Sequence, residues 1–573
     1  MHKLLQLFAR TQLIDSNGFS ISQAGKKILQ SSRIKSGWCL PPKWLRLLIF
    51  VVLVLGIFFR FVNLDRKVYW IDETYTSLRI SGYTETELVQ QLSERQITDI
   101  KNLQKYQRIN SEHSVIDTIK GLAVEEPQLP PLYFVLARFW AQIWGNSVVA
   151  MRSLPSLINL LAFPCIYWLC LELFESPLTG WVAIAVFAVS PFQVLYAQEA
   201  RPYSLWALTI LLSSASLLRA MRLNTWRSWG IYAVTVVVGL YSYLYFALVA
   251  IGHGIYVLFN AIWRNRDKFA AFLLASGAGF LTFLPWIGVL IANWSNVANK
   301  TNWQQPEVPQ PLSVLVRFWI SNLSRVFIDF GLLENFPRIF SILLQLTILI
   351  LIVFLGYTIY FLCRHTYKQV WLFILTLIGT TALALIGTDL ISGGMKSTVS
   401  RYLVPSYIGF QLAVAFLLAT QITATSISAK TQKLWQFVAI ALLTVGVISC
   451  AISSQAETWY TKYTSYDNPR VAHMINSASQ PLLLAQIQAD SINFNELGTL
   501  ISLSYLLEPK VQLELVPKPN VISIPPGFSN IFLIHKPSRT LQTELEQKQN
   551  YKIADVYTNS FKDTLLWKLV KQR

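Results

Sequence analysis

Four short clusters carry the residue types from which a reaction centre can be built. Tyr69-Trp70-Ile71-Asp72-Glu73-Thr74-Tyr75 places two adjacent carboxylates a few residues beyond the first long apolar run. A carboxylate there can accept a proton from an incoming nucleophile; equally, it can cap the helix whose start the pattern puts near Glu73. Gln198-Glu199-Ala200-Arg201-Pro202-Tyr203 sets an acid and a guanidinium where a third apolar run ends, with Pro202 suited to open the next helix. Glu125-Glu126-Pro127-Gln128-Leu129-Pro130-Pro131-Leu132-Tyr133 precedes a short aromatic stretch, and its double proline fixes the angle of entry. Lys396-Ser397-Thr398-Val399-Ser400-Arg401-Tyr402 gathers two cations and several hydroxyls before another helix, a pattern suited to an anion or to lipid headgroups. His253 stands alone in an apolar run, and His113 and His365 have no Cys or His neighbours, so no zinc-type spacing exists. The carboxylate pair serves equally as base or as ligand, which leaves a divalent cofactor open.

The elements that must position these clusters are membrane helices. Of the 573 residues 53% are hydrophobic and 14% charged, against about 25% charged in soluble domains. Mean hydropathy is +0.43. Eleven spans are predicted, at 45–63, 150–172, 181–197, 203–221, 229–245, 247–263, 269–291, 340–362, 370–391, 401–424 and 434–452. The net charge of +18 would suggest nucleic acid in a soluble chain. Here it follows the positive-inside rule: with residues 1–44 as a cytoplasmic tail, the clusters at Arg219–Arg227, Arg264–Lys268, Arg364–Lys368 and Lys430–Lys433 all fall inside. The five cysteines form no CxxC pair, and most lie in apolar runs, so they read as small hydrophobes.

Three segments then lie outside. The first, 64–149, is longer than a connector needs to be. It contains eleven acids between Asp65 and Glu126, and it ends in an apolar stretch, Pro131–Trp144, that reads as an interfacial helix. The second is 292–339. The third, 453–573, alternates strand-like segments (Pro481–Gln486, Val511–Val516, Asn530–His535, Leu565–Leu569) with helical ones (Glu496–Leu507, Ser538–Lys548). That alternation predicts a small extracytoplasmic α/β domain. The fold class is therefore mainly α, a polytopic bundle of about eleven helices with a C-terminal α/β domain. Residues 45–452 form the transmembrane body.

The order of motifs resembles the GT-C membrane glycosyltransferases, in the branch that includes protein O-mannosyltransferases and bacterial lipid A aminoarabinose transferases. Three features carry it over about residues 45–425: the Asp-Glu pair after the first span, the Pro-Pro-Leu-Tyr entry to a juxtamembrane helix, and Glu-Ala-Arg-Pro-Tyr at the third span's end. The resemblance implies a polyprenyl-phosphate sugar as donor, a lipid, glycan or protein acceptor, and an extracytoplasmic site in a multi-pass cell membrane protein. It implies Asp72 as general base supported by Glu73. Glu199, Arg201 and Tyr203 would line the pocket, with Glu126 and Tyr133 beside it, and Arg401 with Lys396 and Tyr402 would hold the lipid phosphate. Leu129 stands where the family often carries His or Lys before Pro-Pro-Leu.

Two other classes fit many spans with sparse charge. A lipid or solute transporter would place its acids at the midplane rather than at one face, and no inverted repeat is visible. A non-catalytic scaffold would leave Asp72, Glu199 and Arg201 apart.

Overall fold

The computed structural model describes residues 42–93, 97–261, 266–332, 337–488, 493–518, 524, 527–560 and 562–572. The predicted cytoplasmic tail falls almost wholly outside them.

The chain enters the bundle with α1 (Lys43–Phe61) and leaves it for α2 (Ile71–Ser81), α3 (Glu85–Ser93), the two-residue β1 (Thr98–Asp99) and α4 (Val115–Glu125). The short α5 (Leu132–Trp144) leads back to α6 (Val148–Phe174). α7 (Pro177–Ala188) and α8 (Pro191–Ala197) form one apolar pair bent by 63°. Each of the two has proline in its first turn, where the missing N–H costs no helical bond. The bundle continues through α9 (Tyr203–Leu223), α10 (Trp226–Ser242), α11 (Phe246–Ala261), α12 (Arg266–Ala292), the short α13 (Trp294–Thr301) and α14 (Leu312–Ser324). It closes with α15 (Arg338–His365), α16 (Lys368–Ser392), α17 (Val404–Thr423) and α18 (Ala429–Gln455). Helices satisfy every backbone group internally, which is why lipid selects them.

Each of the eleven predicted spans coincides with a helix or with the bent pair. By length and apolarity, eight helices among the described residues suffice to cross a membrane, or nine if the bent pair counts as one span. The two that fall short, α10 with 17 residues and α11 with 16, flank a break at Tyr243, whose backbone is extended. α5 differs from the predicted interfacial helix on one side. Phe139, Ile143 and Trp144 are exposed, but Tyr133, Phe134 and Arg138 are buried. Arg138 donates to the carbonyls of Ile80 and His113 instead of reaching for headgroups.

After α18 come α19 (Asn468–Asn476), β2 (Pro481–Gln488), α20 (Phe494–Ser504), β3 (Gln512–Lys518), β4 (Asn530–Ile534), α21 (Arg539–Thr543), β5 (Tyr551–Thr558) and β6 (Thr564–Lys571). The sheet order is β1-β3-β2-β4-β6-β5, with β2 parallel to both β3 and β4. Residues 453–573 do not close this core alone. Strand β1 of the first long loop pairs antiparallel with β3, Thr98 opposite Leu513. Ile71, Tyr75 and Leu78 of α2 pack in one cluster with Leu483, Leu500 and Leu513. α20 is pressed onto α2 at Gly498, where an added Cβ would come within 2.7 Å of Ile71. The opposite face of the sheet packs Leu482, Leu484 and Ile531 against Leu541 and Leu545. The helix that carries Asp72 thus belongs to the core of the α/β unit while it rests on the bundle.

Candidate active site

α2 begins at Ile71, whose N–H donates to Ser465 Oγ at 3.2 Å. Asp72 and Glu73 both lie in its first turn, where the helix dipole favours anions. Successive residues on a helix point about 100° apart, so the two acids face different surroundings.

Asp72 keeps 14% of its side chain exposed. Its Oδ2 accepts from Tyr203 OH at 3.3 Å and lies 3.6 Å from Arg401 Nη2 and 3.9 Å from Arg201 Nε. Arg201 Nη1 donates to the Asp72 carbonyl (3.0 Å) and to Thr76 Oγ1 (3.2 Å). Two guanidiniums therefore face one carboxylate. Among the described residues Arg201 Nε and Arg401 Nη1 are buried without a hydrogen-bond partner, and so are Trp70 Nε1 and Tyr133 OH. Buried donors are normally satisfied. Four unsatisfied ones beside a surplus of positive charge describe a place for an anion with oxygen acceptors. The same charges make the surroundings of Asp72 unfavourable for a divalent cation.

Glu73 is fully buried. Arg152 grips it with Nε and Nη2 at 2.7 and 2.6 Å, the Ala200 N–H donates at 2.9 Å, and Lys462 Nζ lies at 3.7 Å. Burial pushes its pKa up, but Arg152 and Lys462 outweigh that and hold it below the usual range. Lys462 Nζ also donates to Glu199 at 2.8 Å. In Glu199 burial wins, aided by Glu73 and opposed by Lys462, and the carboxyl titrates above its ordinary value. Beside this layer lies Lys67, pushed down to about 7 by burial and then by repulsion from Lys462 and Arg152.

The structure brings Asp72, Arg201, Tyr203 and Arg401 into direct contact, with Glu73 and Glu199 in the layer behind them. Tyr133, fully buried on α5, feels Arg201, Tyr203, Glu199 and Glu73 electrostatically. Glu126 lies in a different knot. It and Glu85 accept from Arg79 at 2.7 and 2.6 Å, Glu125 contacts the same guanidinium, and Lys300 of α13 reaches Glu85 at 2.7 Å. Tyr402 accepts from Gln304 Nε2 at 3.0 Å and packs on Tyr245. Lys396 makes no contact with Asp72. The free amides expected there to attract an anion already have one: Asp389 accepts from the N–H groups of Lys396 (2.9 Å) and Ser397 (2.6 Å).

Sequence reasoning missed Arg152, Lys462, Tyr463 and Asp389. Arg152 carried a signal, a lone cation in an otherwise apolar stretch. Lys462 carried none, because its partners lie hundreds of residues earlier. Among the described residues no three His, Cys, Asp or Glu side chains gather as a metal-ligand set.

Residues 128–288 match the family model of dolichyl-phosphate-mannose-protein mannosyltransferases. The segment runs from the Pro-Pro entry through Glu199, Arg201 and Tyr203. No curated protein matches in sequence. Among solved structures, the oligosaccharyltransferase of Archaeoglobus fulgidus, tethered with an acceptor peptide containing the NVT sequon, is similar at 11% identity and TM-score 0.46. That likeness covers 83% of this chain and 64% of the other, so this chain spans just under two thirds of that protein. ArnT from Cupriavidus metallidurans, bound to undecaprenyl phosphate, is similar at 12% identity and TM-score 0.46, covering 92% of this chain and 97% of the other. The family match covers less than a third of the chain and falls on the segment that supplies Arg152, Glu199, Arg201 and Tyr203.

Proposed function

We propose that this protein moves a sugar from a polyprenyl phosphate to an acceptor hydroxyl on the extracytoplasmic face, with Asp72 as general base and inversion at the anomeric carbon. One observation carries the reading: the partly exposed carboxylate of Asp72 lies between Arg201 and Arg401, each with an unused buried N–H. The acceptor O–H gives its proton to Asp72 as its oxygen bonds to the anomeric carbon. The bond from that carbon to the phosphate oxygen breaks, and its electron pair leaves with the phosphate. Arg201 and Arg401 neutralise the departing charge. A phosphate that engages them also draws them away from Asp72, which strengthens the base. With one base and in-line attack, the configuration inverts.

Other residues act by placement. Tyr203 holds Asp72 Oδ2. Glu73 and Glu199, through Arg152 and Lys462, fix α2 against α6 and the Glu199–Arg201 turn. Tyr133 offers its unpartnered hydroxyl to a sugar or phosphate oxygen. Glu126 and Lys396 lie outside this contact set and would reach only larger parts of the substrates, whereas the Tyr402 ring lies against Arg401, 5.5 Å from its guanidinium carbon. The positive-inside pattern supports an extracytoplasmic site, because it puts the loop containing Asp72 opposite the basic clusters.

The test is Asp72→Asn. We expect a loss of about 10²–10⁴-fold in transfer rate, with polyprenyl phosphate still bound. Normal turnover by this variant would refute Asp72 as the base. Retention at the anomeric centre would refute the single-displacement step.

A further inference from the structure

Beyond α18 the chain turns back towards α2 through a tight segment, Trp459–Ser465. Within it Tyr463 adopts φ 43° and ψ −118°. The positive φ is uncommon for a bulky side chain, and this ψ lies far from the small left-handed well that tolerates it. Such strain persists only where the surroundings over-determine it. Here both flanks are pinned. Lys462 N–H donates to the Trp459 carbonyl at 2.9 Å and its Nζ is bound to Glu199. On the other side Ser465 Oγ accepts from Ile71 N–H, and Tyr466 N–H closes onto the Tyr463 carbonyl at 2.9 Å.

The strained geometry leaves one ring partly exposed. Lys462 and Ser465 are fully buried, whereas Tyr463 between them is 44% exposed. The ring is not on a remote surface. It lies 5.9 Å from Trp70, centroid to centroid and tilted by 35°, and the Arg401 guanidinium carbon is 5.3 Å from its centroid. That guanidinium is the one 3.6 Å from Asp72. Arg401 Nη1 and Trp70 Nε1, which belong to the two side chains packed against the ring, are buried donors without partners among the described residues. Packing does not explain a strained, exposed aromatic at this spot, since a polar residue or glycine would fold here at lower cost.

An aromatic face rimmed by unsatisfied N–H donors suits a ligand that is apolar on its faces and rich in hydroxyls at its edge. A sugar ring has that make-up. An isoprenoid chain does not, because it would leave both donors unsatisfied. We infer that Tyr463 is the platform on which the donor's sugar ring lies, with Trp70 Nε1 and one N–H of Arg401 Nη1 donating to its hydroxyls while the second N–H of Nη1 stays with the phosphate. This inference rests on the donor reading of the preceding subsection. It makes the segment after the last span part of the sugar-selecting site.

The experiment measures binding to the purified full chain in lipid nanodiscs. The probes are polyprenyl phosphate alone and polyprenyl phosphates carrying mannose, glucose, galactose or arabinose. We expect the wild type to prefer at least one sugar-bearing lipid over the bare phosphate. Tyr463→Ala should erase about three- to tenfold of that preference, the worth of an aromatic contact, and leave affinity for the bare lipid unchanged. Tyr463→Phe should retain the preference. Tyr463→Gly, which removes the ring and admits the backbone angle, should lose it without a lower melting temperature. Equal weakening of both kinds of lipid by Tyr463→Ala would overturn the platform, as would an undiminished preference or a wild type that does not discriminate. If the wild type binds neither kind of lipid, the donor reading fails and the platform falls with it.

Discussion

Asp72 and Glu73 are consecutive residues of one helical turn, and they separate two kinds of polar chemistry. Around Glu73 four opposite charges interlock: Arg152, Lys462, Glu73 and Glu199 are all fully or almost fully buried, and the guanidinium of Arg152 is spent completely. Besides gripping Glu73 it donates to the carbonyls of Leu64, Lys67 and Val68. Around Asp72 the contacts are longer, the charge is unbalanced and donors are left over. The Glu73 network is satisfied except at Glu199 Oε2, which is buried without a partner among the described residues, and a network so nearly complete rigidifies and gains little from a ligand. An unsatisfied one beside an exposed carboxylate gains from any ligand that completes it. On the proposed reading, the difference separates scaffold from reaction centre within about 1.5 Å of helical rise.

Substitution at each acid breaks this contrast most directly. Asp72→Asn should remove catalysis and leave the fold, as argued above. Glu73→Gln should do the reverse, with a loss of about 3–5 kcal/mol in unfolding free energy, because it strands the buried charge of Arg152. Thermal or denaturant unfolding in detergent would measure it. The double variant Glu73→Leu with Arg152→Met should recover only part of the loss, since the three loop carbonyls would still lack their donor. Full recovery would mean that the pair merely balances charge. A Glu73→Gln protein of normal stability but no activity would move Glu73 to the chemical side of the divide.

Arg401 sharpens the comparison from the ligand's side. Its Nη1 has no partner among the described residues and its contact with Asp72 is long, so the folded state gains from it mainly through the Trp70, Tyr402 and Tyr463 rings. Arg401→Gln should lower the melting temperature only modestly. A charged hydrogen bond is worth about 1.5–3 kcal/mol, so affinity for polyprenyl phosphate should fall by about ten- to a hundredfold. Arg401→Lys should recover little, because lysine offers a point charge in place of a planar fork. Unchanged lipid binding in both variants would remove Arg401 from the phosphate site.

How far this division was legible in the sequence depends on where each partner sits. Local motifs spoke clearly. The adjacency of Asp72 and Glu73 marks a helix start, Glu199 and Arg201 share one turn, and apolar length announces the bundle. The sequence could not say which acid of the pair would be buried. That follows from the phase of α2 against α6 and α20, set by packing such as Gly498 on Ile71. Nor could it show that Lys462 closes the Glu73 layer, or that β1 and β3 join a loop and a tail more than 400 residues apart. Residues 453–573 alternate as an independent α/β domain would. Pattern alone does not reveal that more than a third of that core lies in residues 71–106. Asp389 misled by a subtler route: it is one acid at the end of an apolar helix, yet it takes the amides that made Lys396–Tyr402 look like an anion site.

The smallest expected effect tests the edge of the buried layer, where Lys67 faces Arg152 and Lys462 without a carboxylate in contact. Its one hydrogen bond, to Gln198 Oε1, is 3.4 Å long. Its amine titrates at about 7 in the folded protein against 10.5 in its ordinary setting. Between those values the unfolded chain holds a proton that the native state has given up. Stability therefore falls as pH drops from about 10.5 towards 7, and the full cost is present below about 7. Lys67→Met removes that cost and loses only the weak contact to Gln198. The gain should be on the order of 1–2 kcal/mol at pH 6–7, shrinking steadily as pH rises towards 9. Melting curves of the variant and the wild type at three pH values in that range would show it. A gain that is flat with pH would mean that Lys67 is neutral or charged throughout. A loss at all pH values would mean that the amine belongs to the satisfied side of the network after all.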